Sequence, residues 1–316
     1  MKKTIKNVIM TLGLPITFLS ASWMKFIVKG KPFSPNDRIF MKVGVLPVLD
    51  HYYQPLVNPK KHLKNPLNEA RNLPGIDWNE KAQLELLNSF DQAVELDQFP
   101  LEKQKDFGYY YNNGMYESGD AEYFYSLIRT IKPRKIIEIG SGHSTLMAIN
   151  AIKANKHEDP NYTCKHICIE PYEQPWLSTL DIELIRKRVE DIPTEQFKIL
   201  EENDILFIDS SHIIRPQGDV LYEFLEIIPS LNSGVFVHIH DILSPNDYLQ
   251  KWVIEEHRLW NEQYLLEAFL SFNSDFEIVG ALNYLMHKHK ELVYEKFPKL
   301  KLQKPEERGA FWIRRK

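Results

Sequence analysis

From residue 135 onward the sequence alternates short apolar runs with segments of helical spacing, and this alternation limits the fold more than any other feature. The apolar runs are KIIEIG (135–140), HICIE (166–170), DILFID (204–209) and GVFVHIHD (234–241). Continuous apolar strands indicate a sheet that is covered on both faces, and the intervening helices provide the crossovers that join parallel strands. The pattern therefore predicts a doubly wound, mostly parallel α/β sheet.

The segments between and after these runs complete the predicted order of elements. STLMAINAIKAN, DVLYEFLEIIPSL and WVIEEHRLWNEQYLLEAFL have helical spacing, DIELIRKRVED is predicted as a helix and a short strand, and FEIVGA and GAFWIRR are predicted as closing strands. In front of the sheet, KAQLELLNSFDQAVEL places Leu84, Leu87, Phe90 and Val94 at helical spacing. The result is a seven-stranded sheet preceded by a region rich in loops and helices.

The chain is divided by composition into three parts, namely 1–30, 31–110 and 111–316. Residues 7–24 carry no charge and follow Lys2, Lys3 and Lys6. Eighteen uncharged residues are close to the lower limit for crossing a bilayer, although several Ser, Thr, Gly and Pro residues reduce their hydropathy. Three alternatives remain for this segment: a helix that contacts or anchors in a membrane, a cleaved signal, or a buried helix of the soluble fold. Residues 31–80 are rich in Pro, Asn and Tyr and indicate an irregular segment with short helices.

Charge and cysteine content exclude some classes of protein. The formal net charge is −4 with scattered Lys and Arg, so no nucleic-acid-binding surface is indicated. The only cysteines are Cys164 and Cys168, so a disulfide framework is not expected. Their spacing around His166 (CKHIC) resembles a partial metal site, but no second pair of ligands is visible, and a buried strand is the favoured interpretation.

The first apolar run ends in an acidic residue and a glycine turn, EIGSGHST. Gly140 permits a tight turn and Gly142 allows the backbone to approach a ligand closely. A dinucleotide-binding loop would require a third glycine at Thr145, which argues against a nicotinamide cofactor. S-adenosylmethionine is the alternative, because Glu138 would face its cationic methionine end and Glu170, at the end of the next strand, would accept hydrogen bonds from its ribose hydroxyls.

The segments IIEIGSGHST, HICIEP, DILFIDSSH and GVFVHIHDI, in this order, resemble bacterial class I S-adenosylmethionine-dependent methyltransferases. The resemblance covers about residues 110–316, and is to the branch related to catechol O-methyltransferase and to enzymes of antibiotic and surface-sugar biosynthesis. It implies a Rossmann-like sheet whose last strand is antiparallel, and it places Gly140, Ser141, Gly142 and Ser144 in the cofactor-binding turn. Ser144 stands where the family pattern has a third glycine, and its hydroxyl is expected to bond the ligand carboxylate.

The resemblance to the catechol-type branch also implies a divalent metal. By motif position its ligands would be Asp209, His240 and Asp241. Carboxylates alone would favour Mg²⁺, whereas a histidine ligand shifts the preference towards Mn²⁺, Fe²⁺ or Zn²⁺. In the alternative, the two aspartates cap the following segments and His240 binds substrate without metal.

Several further side chains are candidates for catalysis or recognition. His212 is the first candidate for the general base and His143 the second, because an imidazole can take a hydroxyl proton near neutral pH. Asp191 is a candidate for the adenine amino group. Tyr109, Tyr110 and Tyr111 either form a lid or pack locally, and Trp260, Asn261 and Gln263 lie on the side expected to recognise substrate.

These features predict a cytoplasmic S-adenosylmethionine-dependent methyltransferase, with contact to a membrane surface through residues 7–24 as one of the three alternatives for that segment. Its acceptor is expected to be a hydroxyl group of a small molecule or a glycan, and its oligomeric state is not indicated. A Rossmann-like oxidoreductase, an iron-dependent hydroxylase and a non-catalytic binding protein are the alternatives.

Overall fold

The computed structural model describes residues 2–29, 35–172, 174–303 and 307–316. The chain forms two compact units, one made of residues 1–65 and 253–259 and the other of residues 66–252 and 260–316. The unit that carries the sheet thus begins at residue 66. The predicted division at residue 111 stays a prediction.

The first unit contains exposed helices. Its helices are α1 (Lys2–Leu12), α2 (Leu14–Val28), α3 (Pro35–Val43) and α4 (Pro59–His62). Among the described residues, no single helix is long and apolar enough to cross a membrane, but α1 from Thr4 and α2, bent by 56° at Gly13, reach that length and composition as a pair. No residue of α2 is buried, which contradicts the alternative of a buried helix. The predicted irregular segment with short helices is confirmed for its described part.

The second unit is built on one seven-stranded sheet. Its strands are β1 (Lys135–Ile139), β2 (Lys165–Ile169), β3 (Glu183–Ile185), β4 (Ile205–Ile208), β5 (Phe236–Ile239), β6 (Phe276–Ala281) and β7 (Phe311–Arg315). Their order is β3-β2-β1-β4-β5-β7-β6. Strands β1 to β5 pair in parallel, whereas β7 is antiparallel to both of its neighbours. The predicted mostly parallel, Rossmann-like sheet with an antiparallel last strand is confirmed.

Helices cover both faces of this sheet, which explains why its central strands lack polar alternation. All four residues of β4 and of β5 are buried. The helices are α5 (Glu80–Asn88), α6 (Ala93–Asp97), α7 (Asp120–Ile131), α8 (His143–Glu158), α9 (Asp219–Tyr222), α10 (Ile228–Ser230), α11 (Glu262–Leu270), α12 (Leu282–Lys288) and α13 (Lys290–Lys296). A π-helical turn (Glu223–Ile227) joins α9 to α10.

Three predicted helical segments differ from the structure. KAQLELLNSFDQAVEL forms two helices, α5 and α6, so that Phe90 is buried between them while Val94 is exposed. DIELIRKRVED forms β3 and a 3₁₀ turn but no α-helix, because residues 183–185 pair with β2 as an edge strand of the sheet. In the segment after β5, only a π-helical turn (Lys251–Glu255) and α11 are helical.

The strand order reverses between β1 and β4, where the chain leaves in opposite directions along the sheet. In doubly wound sheets, the crevice outside the carboxyl ends of such strands is where ligands bind. The glycine turn follows β1, Glu170 follows β2 and Asp209 follows β4. The topology therefore brings these three predicted segments to one edge.

Candidate active site

A cavity of about 880 Å³ opens at the carboxyl ends of β1, β2 and β4. It is large enough for a nucleoside-sized ligand, since small-molecule pockets span roughly 300–1,000 Å³. The predicted residues among those that line it are Gly140, Ser141, Gly142, His143, Ser144, Glu170 and Asp209. Its wall also includes Met115, Tyr116, Arg188, Val189, Glu190, Ser210, Ser211 and Arg215.

Position 140, directly after β1, must be a glycine because the backbone that follows β4 approaches it too closely for a side chain. Gly140 has φ +79°, and an added Cβ would lie 1.8 Å from the carbonyl oxygen of Asp209. Its N–H donates to Ile169 O at 3.0 Å, while Asp209 N–H donates to Ile139 O at 2.8 Å. An added Cβ at Gly142, by contrast, meets no atom within 4 Å. Gly140 is thus required by the sheet, and Gly142 leaves open space at the cavity wall.

Thr145 occupies the position of the third glycine in a dinucleotide-binding loop. Its hydroxyl accepts a hydrogen bond from Gly142 N–H at 3.1 Å, which caps the first turn of α8. A glycine would leave this N–H without that partner. The residue that departs from the dinucleotide pattern therefore has a local structural role.

The structure places the Glu138 carboxylate inside the protein, not in the cavity lining. It is fully buried, accepts a hydrogen bond from Ser144 Oγ at 2.7 Å, and lies 2.7 Å from His166 Nε2 and 3.4 Å from Cys168 Sγ. Burial alone would lower the pKa of His166, but Cys168 and Glu138 raise it to about 10, so the imidazolium pairs with the carboxylate. Glu138 and Ser144 thus bond each other and brace the glycine turn.

Glu170 lies at the rim of the cavity, as its position after β2 predicts. Its carboxylate accepts a hydrogen bond from Tyr172 N–H at 2.8 Å, and its own N–H donates to Ile185 O. The structure places Asp191 outside the cavity lining, where its carboxylate pairs with Arg188 at 3.0 Å. The preceding residue, Glu190, lines the cavity instead. Both residues lie in the 3₁₀ turn Val189–Asp191.

Next to the cavity, His212 lies among three carboxylates. Its Nδ1 is 2.8 Å from Glu262 Oε2, and its Nε2 is 3.3 Å from Asp209 Oδ1 and 3.7 Å from Asp241 Oδ2. His240 Nε2 is 3.7 Å from the other oxygen of Asp241. We call these five residues the His212 cluster. The structure thus brings together the four predicted residues at the ends of β4 and β5 and adds Glu262.

The backbone of this cluster is unusual as well. His212 and Asp241 have φ values of +60° and +56°. Such left-handed conformations are uncommon for residues other than glycine and often occur at functional sites. Gly309 passes so close to Asp241 that an added Cβ would lie 2.7 Å from its Cα, so the chain before β7 holds Asp241 in place.

Electrostatics favour a cation between these carboxylates. Burial alone would lower the pKa of His212, but hydrogen bonds to Asp209 and Glu262 and the charge of Asp241 hold that pKa well above its usual range. Burial likewise opposes charge on His240, yet Asp209 and Asp241 raise its pKa. His238 has no such partner, and burial together with His240 keeps its pKa well below the usual range. His238 is therefore a neutral core residue.

The other candidates have mixed locations. Tyr109 and Tyr111 are buried, and their hydroxyls donate to backbone carbonyls, so they pack in the core. Tyr110 is the member of that group next to His143, with ring centroids 5.9 Å apart. His143 lines the cavity, and burial, with Lys103, lowers its pKa.

The residues around Glu262 support the His212 cluster from outside. The Trp260 ring lies 4.3 Å from the His212 ring. Asn261 Oδ1 accepts from Ile214 N–H at 2.6 Å, and Gln263 Oε1 accepts from Leu243 N–H at 2.6 Å. These bonds hold the loops after β4 and β5 against the start of α11.

Two comparisons with known proteins agree with this geometry. A sequence model of the family described as "Methyltransferase domain" matches residues 137–242. An uncharacterized protein of Archaeoglobus fulgidus is 31% identical over 182 residues, which cover 54% of this chain and 80% of that protein. Residues 137–242 therefore form a methyltransferase domain of this family. The segment matched by the family runs from β1 through β5 and contains the glycine turn, Glu170, Asp209 and Asp241.

The family match supports a class I domain and implies that it depends on S-adenosylmethionine, as the resemblance did. Its membership in the catechol-type branch stays a prediction. Sequence reasoning missed two residues of the candidate site, Glu190 and Glu262. Glu262 lies in the first turn of the observed α11, whereas the predicted helical segment began at Trp252, so no local signal marked this residue.

Proposed function

We propose that this methyltransferase transfers a methyl group to a hydroxyl oxygen of a small molecule or glycan that binds beside the His212 cluster. The observation that carries the proposal is the position of Asp209, which lines the cavity and also lies 3.3 Å from His212 Nε2. Asp209 thus contacts both the cavity proposed for the cofactor and the imidazole of His212, which can act as an acid or a base. Transfer to oxygen fits this arrangement, because a hydroxyl needs a nearby group that takes its proton.

The cavity fits S-adenosylmethionine, which when bound supplies a methyl group on a sulfonium sulfur for displacement by a nucleophile. The backbone of Gly140, Ser141 and Gly142 would hold its methionine end, where Gly142 leaves open space. Glu170 would accept hydrogen bonds from the ribose hydroxyls. Glu190 is better placed than Asp191 for the adenine end, since it lines the cavity.

His212 is the proposed proton acceptor, and Glu262 orients it. A bond from Nδ1–H to Glu262 selects the tautomer whose Nε2 faces Asp209 and Asp241. In the same cluster the imidazolium of His212 balances the surrounding carboxylates. His212 can take the acceptor proton only when another cation provides that balance.

A divalent cation bound by Asp209, Asp241 and His240 is the second part of the proposal. Two carboxylates and an imidazole suit Mn²⁺ or Fe²⁺ better than Mg²⁺. Among the described residues, the group whose ligand atoms all lie within 4.8 Å of one another is Glu138, His166 and Cys168. Asp209, Asp241 and His240 do not meet this distance, so their ligand atoms would have to move closer together to bind the ion. A cation there would balance the carboxylates and leave His212 Nε2 able to accept a proton.

The test is calorimetric titration of the protein with S-adenosylhomocysteine, with EDTA and then with Mn²⁺. We expect binding that weakens roughly ten- to hundredfold in Glu170→Ala, because charge-assisted hydrogen bonds contribute about 1.5–3 kcal/mol. Asp191→Ala is the matched control, since Asp191 is outside the cavity lining and should leave the affinity unchanged.

Transfer itself is tested by supplying S-adenosylmethionine with a panel of hydroxylated acceptors. Binding without transfer to any acceptor, with or without Mn²⁺, would favour the non-catalytic alternative. No binding of either nucleoside would refute the proposal. Transfer that is insensitive to EDTA would refute the metal and, with it, the role of His212 as proton acceptor.

A further inference from the structure

Helices α1 and α2 expose apolar side chains on a scale unlike the rest of the described chain. In α1, the side chains at positions 5, 8, 9 and 12 form one apolar stripe at helical spacing, with Lys6 and Asn7 outside it. In α2, Ile16, Phe18 and Phe26 are each at least 70% exposed. A soluble protein rarely leaves so continuous an apolar surface without a partner.

The charge of this region is opposite to that of the remaining chain. Residues 1–65 contain eleven Lys and Arg against two Asp and Glu, a formal charge of +9. Residues 66–316 contain 28 against 41, a formal charge of −13. The exposed apolar helices therefore lie in a strongly basic segment of an acidic protein.

This combination identifies the chemistry of the partner. Apolar side chains with flanking lysines bind the boundary between acyl chains and headgroups, and anionic lipids attract the lysines. Trp23, stacked on Phe26 at 5.7 Å, is a residue type that favours this boundary. A second copy of the chain fits less well, because dimerisation would bring two segments of +9 together.

The geometry favours a helix pair that lies in the interface over one that spans the bilayer. The fifteen residues of α2 reach about 22 Å at 1.5 Å per residue, whereas the hydrocarbon core is about 30 Å thick. The bend of 56° at Gly13 directs α1 away from the axis of α2. Amphipathic α1 also suits the membrane surface, where its lysine side remains in water.

We propose that helices α1 and α2 bind the surface of an anionic phospholipid bilayer without crossing it. Ile5, Phe18 and Trp23 would enter the acyl boundary, and Lys6, Lys25 and Lys29 would contact the lipid phosphates. This inference does not depend on the proposed acceptor or on the metal.

The test is co-sedimentation of the full chain with vesicles of phosphatidylcholine alone or mixed with phosphatidylglycerol, at about 0.1 M and at about 1 M salt. We expect binding to the mixed vesicles at low salt, and at least about tenfold less binding to the neutral ones. The double variant Phe18→Glu/Leu19→Glu should abolish binding. The triple variant Lys6→Gln/Lys25→Gln/Lys29→Gln should weaken it at least about tenfold on anionic vesicles only.

Val94→Glu is the matched control, because Val94 is an equally exposed apolar residue on α6 of the other unit. It should bind as the wild type does, and all variants should retain the wild-type melting temperature. Binding that is equal on neutral and anionic vesicles would overturn the proposal, as would binding that resists both alkaline carbonate and high salt, which indicates a spanning segment. Absence of vesicle binding, together with a dimer that Phe18→Glu/Leu19→Glu dissociates, would assign this surface to a second copy.

Discussion

Substitution by alanine should affect the two glycines of the turn after β1 differently: at Gly140 it should lower stability, and at Gly142 it should weaken ligand binding. Gly140→Ala places a Cβ 1.8 Å from the carbonyl oxygen of Asp209, although real Cβ contacts essentially never fall below 3.0 Å. The two atoms must therefore separate by about 1.2 Å. They cannot do so freely, because hydrogen bonds to Ile139 and Ile169 hold both strand ends.

The expected cost follows from two contributions. A side chain at φ +79° adds about 1–2 kcal/mol of backbone strain, and the steric overlap adds about 1–3 kcal/mol. Gly140→Ala should therefore lower the free energy of unfolding by about 2–5 kcal/mol. Gly142→Ala, whose Cβ meets no atom within 4 Å, should change it by less than about 1 kcal/mol. Its methyl group occupies cavity space, so it should weaken S-adenosylhomocysteine binding at least about tenfold.

Urea denaturation measures the first effect, and titration calorimetry on the folded variants measures the second. A Gly140→Ala protein as stable as the wild type would refute the close approach of β1 and β4 at this turn. Unchanged affinity in Gly142→Ala would refute the assignment of the cavity wall at Gly142 to the cofactor.

Two further predictions concern buried carboxylates. Glu262→Gln should lower kcat roughly ten- to hundredfold with little change in S-adenosylhomocysteine affinity, because the amide holds His212 less firmly. Glu267→Gln, on the same helix, is the control and should leave kcat unchanged. Equal losses of kcat in both variants would contradict the orienting role of Glu262. Burial raises the pKa of Glu122 from 4.5 to about 7, against hydrogen bonds from Ser118, Gly119 and Lys299 that lower it. The pKa of Glu122 is higher in the folded than in the unfolded protein, so its protonation stabilises the fold. This contribution to the free energy of unfolding is fully present below pH 4.5 and is lost as the pH rises to about 7. Relative to Glu122→Gln, the wild type should lose about 3 kcal/mol of unfolding free energy over that range in urea titrations, and parallel stability curves for both proteins would contradict it.

Much of the fold follows from local patterns. Continuous apolar runs such as ILFI in β4 indicate strands buried on both faces, and the segments between them are long enough for crossovers. Because the carboxyl ends of parallel strands share one edge, the adjacency of Gly140, Glu170 and Asp209 was predictable without coordinates.

Side-chain direction was not predictable in the same way. The parallel register pairs Glu138 with Cys168, so both side chains, together with that of His166, lie on one face of the sheet. Glu138 consequently bonds Ser144 and His166 and does not enter the cavity lining. Sequence spacing indicated that an acid ends β1 but not which face it occupies.

The sequence by itself determined the class of sheet, the glycine turn and the carboxylate after β2, because each depends on residues within a few positions of one another. Only the tertiary structure decided what surrounds His212. Asp209, Asp241 and Glu262 come from three segments, and Glu262 is 50 residues from the imidazole it contacts. Such contacts depend on how whole strands and helices pack, and no local pattern encodes that packing.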